Sequence, residues 1–222
     1  MGETVRYNRD MDRPKGYVLV VDDVPDILEL VETTLQFKGY QVVTARNGQE
    51  ALDLVQQNRP ALIVADILMP IMDGFSLVHR LRLNPELRDI PVIFLSASYV
   101  TSEDMAFALT IGVTRFIEKP VNMETFLPIV AEYFERPPQA APSMLNERDF
   151  YTGYQKRLEA RVRQSNLQIT RDQNLLDSLP EAERPVFEAS LRQTIDDRDE
   201  TQQLIEQISQ RLTDLSSPSS TI

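Results

Sequence analysis

Five polar residues of this chain, Asp22, Asp23, Asp66, Ser96 and Lys119, stand directly behind short apolar runs. The runs are Tyr17-Val18-Leu19-Val20-Val21, Ala61-Leu62-Ile63-Val64-Ala65, Val92-Ile93-Phe94-Leu95 and Thr114-Arg115-Phe116-Ile117-Glu118. Taken singly, the acidic residues are solvated turns or helix caps, Ser96 is a turn residue and Lys119 a surface cation. Gathered on one edge they would form a site. Three carboxylates there repel one another by roughly 4 kcal/mol per pair at about 4 Å with an effective dielectric of about 20. Positive charge must compensate. Oxygen ligands with no His or Cys beside them suit a hard ion, and Mg2+ takes one or two carboxylates, several waters and a phosphoryl oxygen. A carboxylate is also a nucleophile toward phosphorus and forms an acyl phosphate. Asp66 fits that role, because the ion would hold the incoming phosphoryl group while Lys119 adds a second cation.

Each apolar run is too short for a helix and reads as a strand buried on both faces, the kind found in a parallel sheet covered by helices. A fifth run of the same character is Gln41-Val42-Val43-Thr44. In such sheets the site lies beyond the carboxyl ends of the strands. Between the runs, apolar residues recur at helical spacing. Ile27, Leu28, Val31 and Leu35 follow Pro25 and stop at Lys38-Gly39, and Ala51, Leu52, Leu54 and Val55 lie between Asn47-Gly48 and Asn58-Arg59-Pro60. Phe75, Leu77, Val78 and Leu81 run up to Asn84-Pro85. Thr101-Ser102-Glu103-Asp104 offers an N-cap to a helix with Met105, Ala108 and Leu109 on one face, ending at Gly112. Asn122 caps a last helix bearing Phe126, Ile129, Val130, Tyr133 and Phe134. Strand and helix alternate five times, which is the doubly wound α/β pattern with right-handed crossovers.

Asp22-Asp23, Asp66 followed by Met69-Pro70-Ile71-Met72-Asp73-Gly74, Ser96-Ala97 and Lys119-Pro120 together resemble the receiver domain of two-component response regulators, over residues 15–136. The resemblance implies a five-stranded parallel sheet of order 2-1-3-4-5, for which a chemotaxis receiver is a stock example. It implies that Asp66 is the phosphoacceptor and that Asp23 and Asp66 bind Mg2+ directly with the main-chain carbonyl of Leu68, with Asp22 acting largely through water. It assigns Ser96 the hydroxyl that meets the bound phosphoryl group, Lys119 a phosphoryl contact and Phe116 an aromatic switch. The donor would be a phosphohistidine of a sensor histidine kinase or a histidine-phosphotransfer protein. The added charge of about −2 would shift the Ser96 loop and alter the face made by the fourth helix, fifth strand and fifth helix. Leu68 and Ser98 occupy positions that tune acyl-phosphate lifetime, and an apolar Leu68 cannot hold an attacking water, which leans toward slow self-hydrolysis. No enzyme activity beyond self-phosphotransfer and slow autodephosphorylation is expected. His79, the only histidine, reads as a solvated side chain.

At 222 residues and 42 % hydrophobic content the chain suits one ordinary domain plus an appendage. The absence of Cys excludes disulfides and thiolate chemistry, and the lack of an apolar run near the ~18 residues of a membrane span leads to a soluble cytoplasmic protein as the expectation. The net charge of −11 argues against a nucleic-acid binder, as does the absence of a basic stretch. Residues 1–14 read as a disordered lead-in and 137–144 as a stiff Pro-rich linker. Residues 145–215 read as a helical hairpin or coiled coil, and 216–222 as a frayed tail. The first of the two helices carries Phe150, Tyr154, Leu158, Val162, Ile169, Leu176 and Leu179 mostly four apart. The second carries Phe187, Leu191, Thr194, Arg198, Thr201, Ile205, Ile208, Leu212 and Leu215 at alternating four and three spacings, a heptad with a polar middle. Ser178-Leu179-Pro180-Glu181 resembles a capping box between them, and Pro185 suits the first turn that follows. Residues 145–176 hold 6 Lys/Arg against 4 Asp/Glu, whereas 177–222 hold 4 against 10, so an antiparallel pairing is complementary. The expected output is a phosphorylation-controlled helical element that binds a protein partner or forms a homodimer. The alternative is a phosphate shuttle or sink whose tail only sets oligomeric state; a DNA-binding regulator is a distant third.

Overall fold

Apolar runs of five residues with no polar interruption leave no solvated face, so the strands they form must be covered on both sides. In a computed structural model of the chain, which describes residues 16–96, 102–135, 145–176, 178–180 and 184–216, they form one parallel sheet. The strands are β1 (Tyr17–Val21), β2 (Gln41–Ala45), β3 (Leu62–Asp66), β4 (Val92–Ser96) and β5 (Arg115–Glu118), in the order β2-β1-β3-β4-β5. The helices are α1 (Pro25–Phe37), α2 (Gly48–Gln57), α3 (Gly74–Leu83), α4 (Ser102–Thr110) and α5 (Met123–Glu135), followed by α6 (Glu147–Leu176) and α7 (Arg184–Asp214). The expected lead-in 1–14, the linker 137–144, Ser98, Thr101 and residues 217–222 lie outside the described residues. The chain divides into two compact units, residues 1–144 and 145–222.

β1, β3 and β4 are buried along their whole length. β2 and β5 are not, which corrects the expectation of five alike: strand order places them at the two edges, and β2 alternates between exposed and half-buried positions up to its buried last residue, Ala45. One face of the sheet, Val18, Val20, Leu62, Val64, Ile93 and Leu95, packs on Leu28, Val31 and Leu35 of α1 and Phe126 and Val130 of α5. Burying each such side chain contributes about 1.5–3 kcal/mol. On the other face Phe94 meets Phe75 of α3 edge-on, with ring centroids 5.6 Å apart. Asn122 caps α5 as read from the sequence, its Oδ1 accepting from the Glu124 amide at 2.9 Å.

Two helix faces differ from their expected orientation. α4 buries Phe107 and Ala108, whereas Met105 and Leu109 stand 39 % and 55 % exposed. Phe107 is drawn inward by Phe75, whose ring lies 5.5 Å away, and this turns the 105/109 stripe to solvent. His79 is buried, at 5 % exposure, and not solvated. α3 buries Phe75, Leu77, Val78, Leu81 and Arg82 around most of its circumference, with α2 packed beside it, so no solvated face is left at position 79. Arg82, whose sequence position carries no sign of burial, is 3 % exposed and donates through Nη2 to the Gly112 carbonyl at 2.7 Å. Burial lowers its pKa to about 10, and the Asp89 charge opposes that shift.

In the second unit α6 and α7 run antiparallel. Glu147 of the first turn of α6 meets Arg211 near the end of α7 at 2.6 Å, Gln155 donates to Ser209 at 3.0 Å, and Arg198 donates to Asn166 at 2.8 Å. Leu191, Thr201 and Ile208 are buried and the other six heptad positions of α7 are half-buried, so the polar middle, Arg198 included, faces inward. The Ser178 hydroxyl donates back to the Leu175 carbonyl at 2.7 Å and closes α6, whereas Glu181, the other half of the expected capping box, lies outside the described residues. An Asn146 cap opens α6, accepting from the Asp149 amide at 2.8 Å. Ser216, expected to fray, closes α7 through its hydroxyl on the Leu212 carbonyl at 2.7 Å. Among the described residues no helix is long and apolar enough to cross a membrane.

Candidate functional site

In-step pairing of parallel strands lines up their ends. Val21 pairs with Ala65, Asp66 with Leu95, and Ser96 with Glu118. The next residue of β1 is Asp22 and the next after β5 is Lys119, so the first polar group of each strand emerges on one edge, with strands about 4.8 Å apart.

Lys119 is the hub of that edge. Its Nζ lies 2.8 Å from Asp22 Oδ2 and 2.5 Å from Asp66 Oδ1, and its backbone amide donates to the Ser96 carbonyl at 2.7 Å. The Lys119–Pro120 peptide is cis. The other oxygens of the two carboxylates accept backbone amides: Asp22 Oδ1 from Val24 at 3.0 Å, Asp66 Oδ2 from Leu68 at 2.8 Å. Asp22 is fully buried, and Asp66 and Ser96 are each 8 % exposed. Asp23 is exposed, since the residue after an inward Asp22 leaves the strand toward solvent. Phe116 is half-buried in β5, opposite Phe94, with ring centroids 5.8 Å apart. Beside it a cleft of about 450 Å³ opens along β5 and α5 toward Lys119 and Pro120. Leu68 is half-buried, and Ser98 lies outside the described residues.

One cation shared by two buried carboxylates leaves a charge deficit. Burial raises the Asp66 pKa above its usual 3.8, the Asp22 charge adds to that, and the hydrogen bond from Lys119 only partly offsets both. For Lys119 burial acts downward, but its hydrogen bonds to Asp22 and Asp66 reverse this and raise its pKa. Lys119 therefore stays charged, and Asp66 would be eased by a further cation. Among the described residues no three His, Cys, Asp or Glu side chains converge as a metal cage. Two carboxylates with nearby carbonyl oxygens suffice for Mg2+, which keeps several waters, so the oxygen-only donor set fits that ion.

The loop between β3 and α3 completes the edge. Asp73 caps α3, accepting from the Ser76 amide at 2.7 Å, and the Gly74 amide returns to the Ile67 carbonyl at 2.8 Å. A Cβ on Gly74 would lie 2.5 Å from the Asp66 carbonyl oxygen, so only glycine lets α3 start against the strand end. Ile71 has φ 68° and is 84 % exposed, and the Met72 amide donates across it to the Pro70 carbonyl at 2.7 Å, a γ-turn. A left-handed β-branched residue costs about 1–2 kcal/mol. Nothing in the local sequence announces that turn, because Pro70-Ile71 carries no turn glycine or asparagine.

A family model for the response regulator receiver domain matches residues 18–131, just over half of the chain. The chain is 40 % identical over 116 residues to an uncharacterized 14.6 kDa protein of Leptolyngbya boryana, spanning 52 % of this chain and 88 % of that one. It is 38 % identical over 112 residues to the probable transcriptional regulator ycf27 of Porphyra purpurea, spanning 50 % of this chain and 44 % of that relative, so there it spans less than half of the relative's length. Among solved structures, the receiver domain of a signal transduction histidine kinase from Syntrophus aciditrophicus superposes with a TM-score of 0.52 at 35 % identity, covering 59 % of this chain and 98 % of that one.

Proposed function

The chain belongs to the response regulator receiver family, and from that premise we propose that Asp66 accepts a phosphoryl group from a phosphohistidine and thereby switches the helical second unit. The observation that carries the reading is Lys119 poised between Asp22 and Asp66, at 2.8 and 2.5 Å. An Asp66 carboxylate oxygen forms the new bond to phosphorus while the phosphorus–nitrogen bond to the donor imidazole breaks. Lys119 stays protonated throughout and offers its charge to the arriving oxygens. Because the Lys119 amide holds the Ser96 carbonyl, phosphoryl binding draws on Ser96 and Lys119 together. Asp23, Asp66 and the Leu68 carbonyl are the groups that would hold Mg2+, with Asp22 acting through water, and the ion would supply the remaining charge compensation. Phe116 reports the event on the open edge of β5, next to the cleft.

The donor is a sensor histidine kinase or a histidine-phosphotransfer protein. The output is a coiled coil that meets a protein partner or a second copy of the chain; its acidic α7 disfavours nucleic acid. The reading is tested with phosphoramidate or acetyl phosphate and Mg2+, followed by intact mass: parent protein gains one phosphoryl group and Asp66→Asn gains none. Equal labelling of the Asn variant overturns the assignment, with peptide mapping to check Asp22 and Asp23.

A further inference from the structure

We propose that Gly48 is a positioning residue for Asp66: the start of α2 braces the β3–α3 loop in a shape the loop would not hold alone. The inference rests on the phosphoacceptor reading of Asp66 and adds a distant support to it.

The start of α2 is itself firmly built. Asn47 caps the helix by accepting from the Glu50 amide at 2.9 Å, and the Glu50 side chain accepts from the amide of Arg46, the residue before the cap, at 2.8 Å. First-turn amides of a helix have no partner within it. The Gly48 amide finds one outside, the Met72 carbonyl, at 2.8 Å. Met72 is thus tied at both ends, its amide to Pro70 and its carbonyl to Gly48, and its side chain is buried at 7 % exposure. The approach is close enough to demand glycine. A Cβ at position 48 would stand 2.7 Å from the Met72 carbonyl oxygen, 2.9 Å from Met72 Cγ and 3.2 Å from the Asp73 carbonyl oxygen. The first and third are backbone atoms, which yield only if the loop itself moves.

The neighbouring γ-turn shows why the loop needs a brace. Ile71 occupies φ 68° with its side chain 84 % exposed, so no burial of its own offsets the left-handed conformation. The ties on Met72 are what keep it there. A loop released at Met72 moves the segment that begins at Leu68, whose amide holds Asp66 Oδ2 at 2.8 Å. Gly48 thereby acts on the acceptor through Met72 without touching it.

A double-mutant cycle decides the matter, with Gly48→Ala, Ile71→Gly and the pair, each labelled by phosphoramidate in Mg2+. Alanine is the better helix former, so a loss in Gly48→Ala comes from the contact with the loop and not from α2. The expected labelling rates are a loss of about tenfold for Gly48→Ala, within the effect of a sub-ångström misplacement, and no loss for Ile71→Gly. The pair should recover to within about threefold of parent, because a glycine at position 71 lets the Met72 end of the loop yield to the added carbon without dragging Leu68 along. A folded Gly48→Ala that labels at the parent rate overturns the proposal, as does a pair no faster than Gly48→Ala. The same cycle read in thermal midpoint needs no phosphorylation: rescue there supports the brace even if the parent takes no label, an outcome that would sink the acceptor reading alone. Strict additivity of the midpoints overturns the brace.

Discussion

Lys119 reaches across the carboxyl edge of the sheet to Asp66, its Nζ 2.5 Å from Oδ1, while the same nitrogen holds the fully buried Asp22 at 2.8 Å. One side chain balances two carboxylates that lie 44 residues apart in sequence. The charge balance of these two buried carboxylates therefore hangs on one lysine.

Lys119→Gln is expected to destabilise the metal-free protein by about 3 kcal/mol, the usual result of stripping one partner from a buried ion pair. Mg2+ should restore part of the loss by supplying charge at the same edge. Urea denaturation with and without Mg2+ measures both, and an unchanged midpoint without metal would mean that Lys119 does not balance the two carboxylates.

Asp66 should make metal-free stability depend on pH in the direction opposite to an ordinary paired carboxylate. Its folded pKa is raised above 3.8 chiefly by burial, so the folded state binds the proton more tightly than the unfolded chain. The contribution of this group is then favourable at low pH and is lost as pH rises from near 3.8 through the folded pKa. Asp66→Asn, uncharged throughout, should melt above parent at neutral pH, with a margin that shrinks on acidification. Thermal melts without metal from pH 7 to pH 4 check this, and a variant less stable than parent at pH 7 would show that the Lys119 pair outweighs burial.

Asp23→Ala should lose Mg2+ affinity and phosphorylation together while metal-free stability holds, because the side chain is exposed and its charge repels the other carboxylates. Metal-induced shifts of the melting curve report the affinity, since a ligand at about 100 times its Kd adds about 2.7 kcal/mol. A large drop without metal would make Asp23 a structural residue.

Gly74→Ala should destabilise the first unit by about 1–3 kcal/mol, the range for overpacking, since the added carbon meets the Asp66 carbonyl oxygen at 2.5 Å and the Phe94 ring at 3.0 Å. Denaturation measures the loss, and labelling of the folded fraction should fall with it. A variant as stable as parent would contradict the close approach of α3 to β3.

The stripe on the second helix of the hairpin is not evenly buried. Ile208 is 4 % exposed, so Ile208→Asp should lower the helical circular dichroism signal, while the half-buried Leu212 and Leu215 should tolerate Asp and convert a dimer to monomer. Light scattering coupled to size exclusion follows the second effect, and a parent that is monomeric over a wide concentration range removes the dimer.

The architecture was legible because a strand buried on both faces must be written as an unbroken apolar run, and because polar residues return only where such strands end. Asp22, Asp66, Ser96 and Lys119 were locatable for that reason, before any distance was known. The heptad of α7 was legible by the same logic, since its spacing alone shows which side must be covered. What only the tertiary structure decided depends on neighbours distant in sequence. Edge placement left β2 half-wetted, Phe75 drew Phe107 inward and turned Met105 out, and crowding around α3 buried His79 and Arg82. Gly48 read as a turn residue and Ile71 as a place-holder in a motif; that one braces the other through Met72 follows from two segments meeting in space, which no local pattern records.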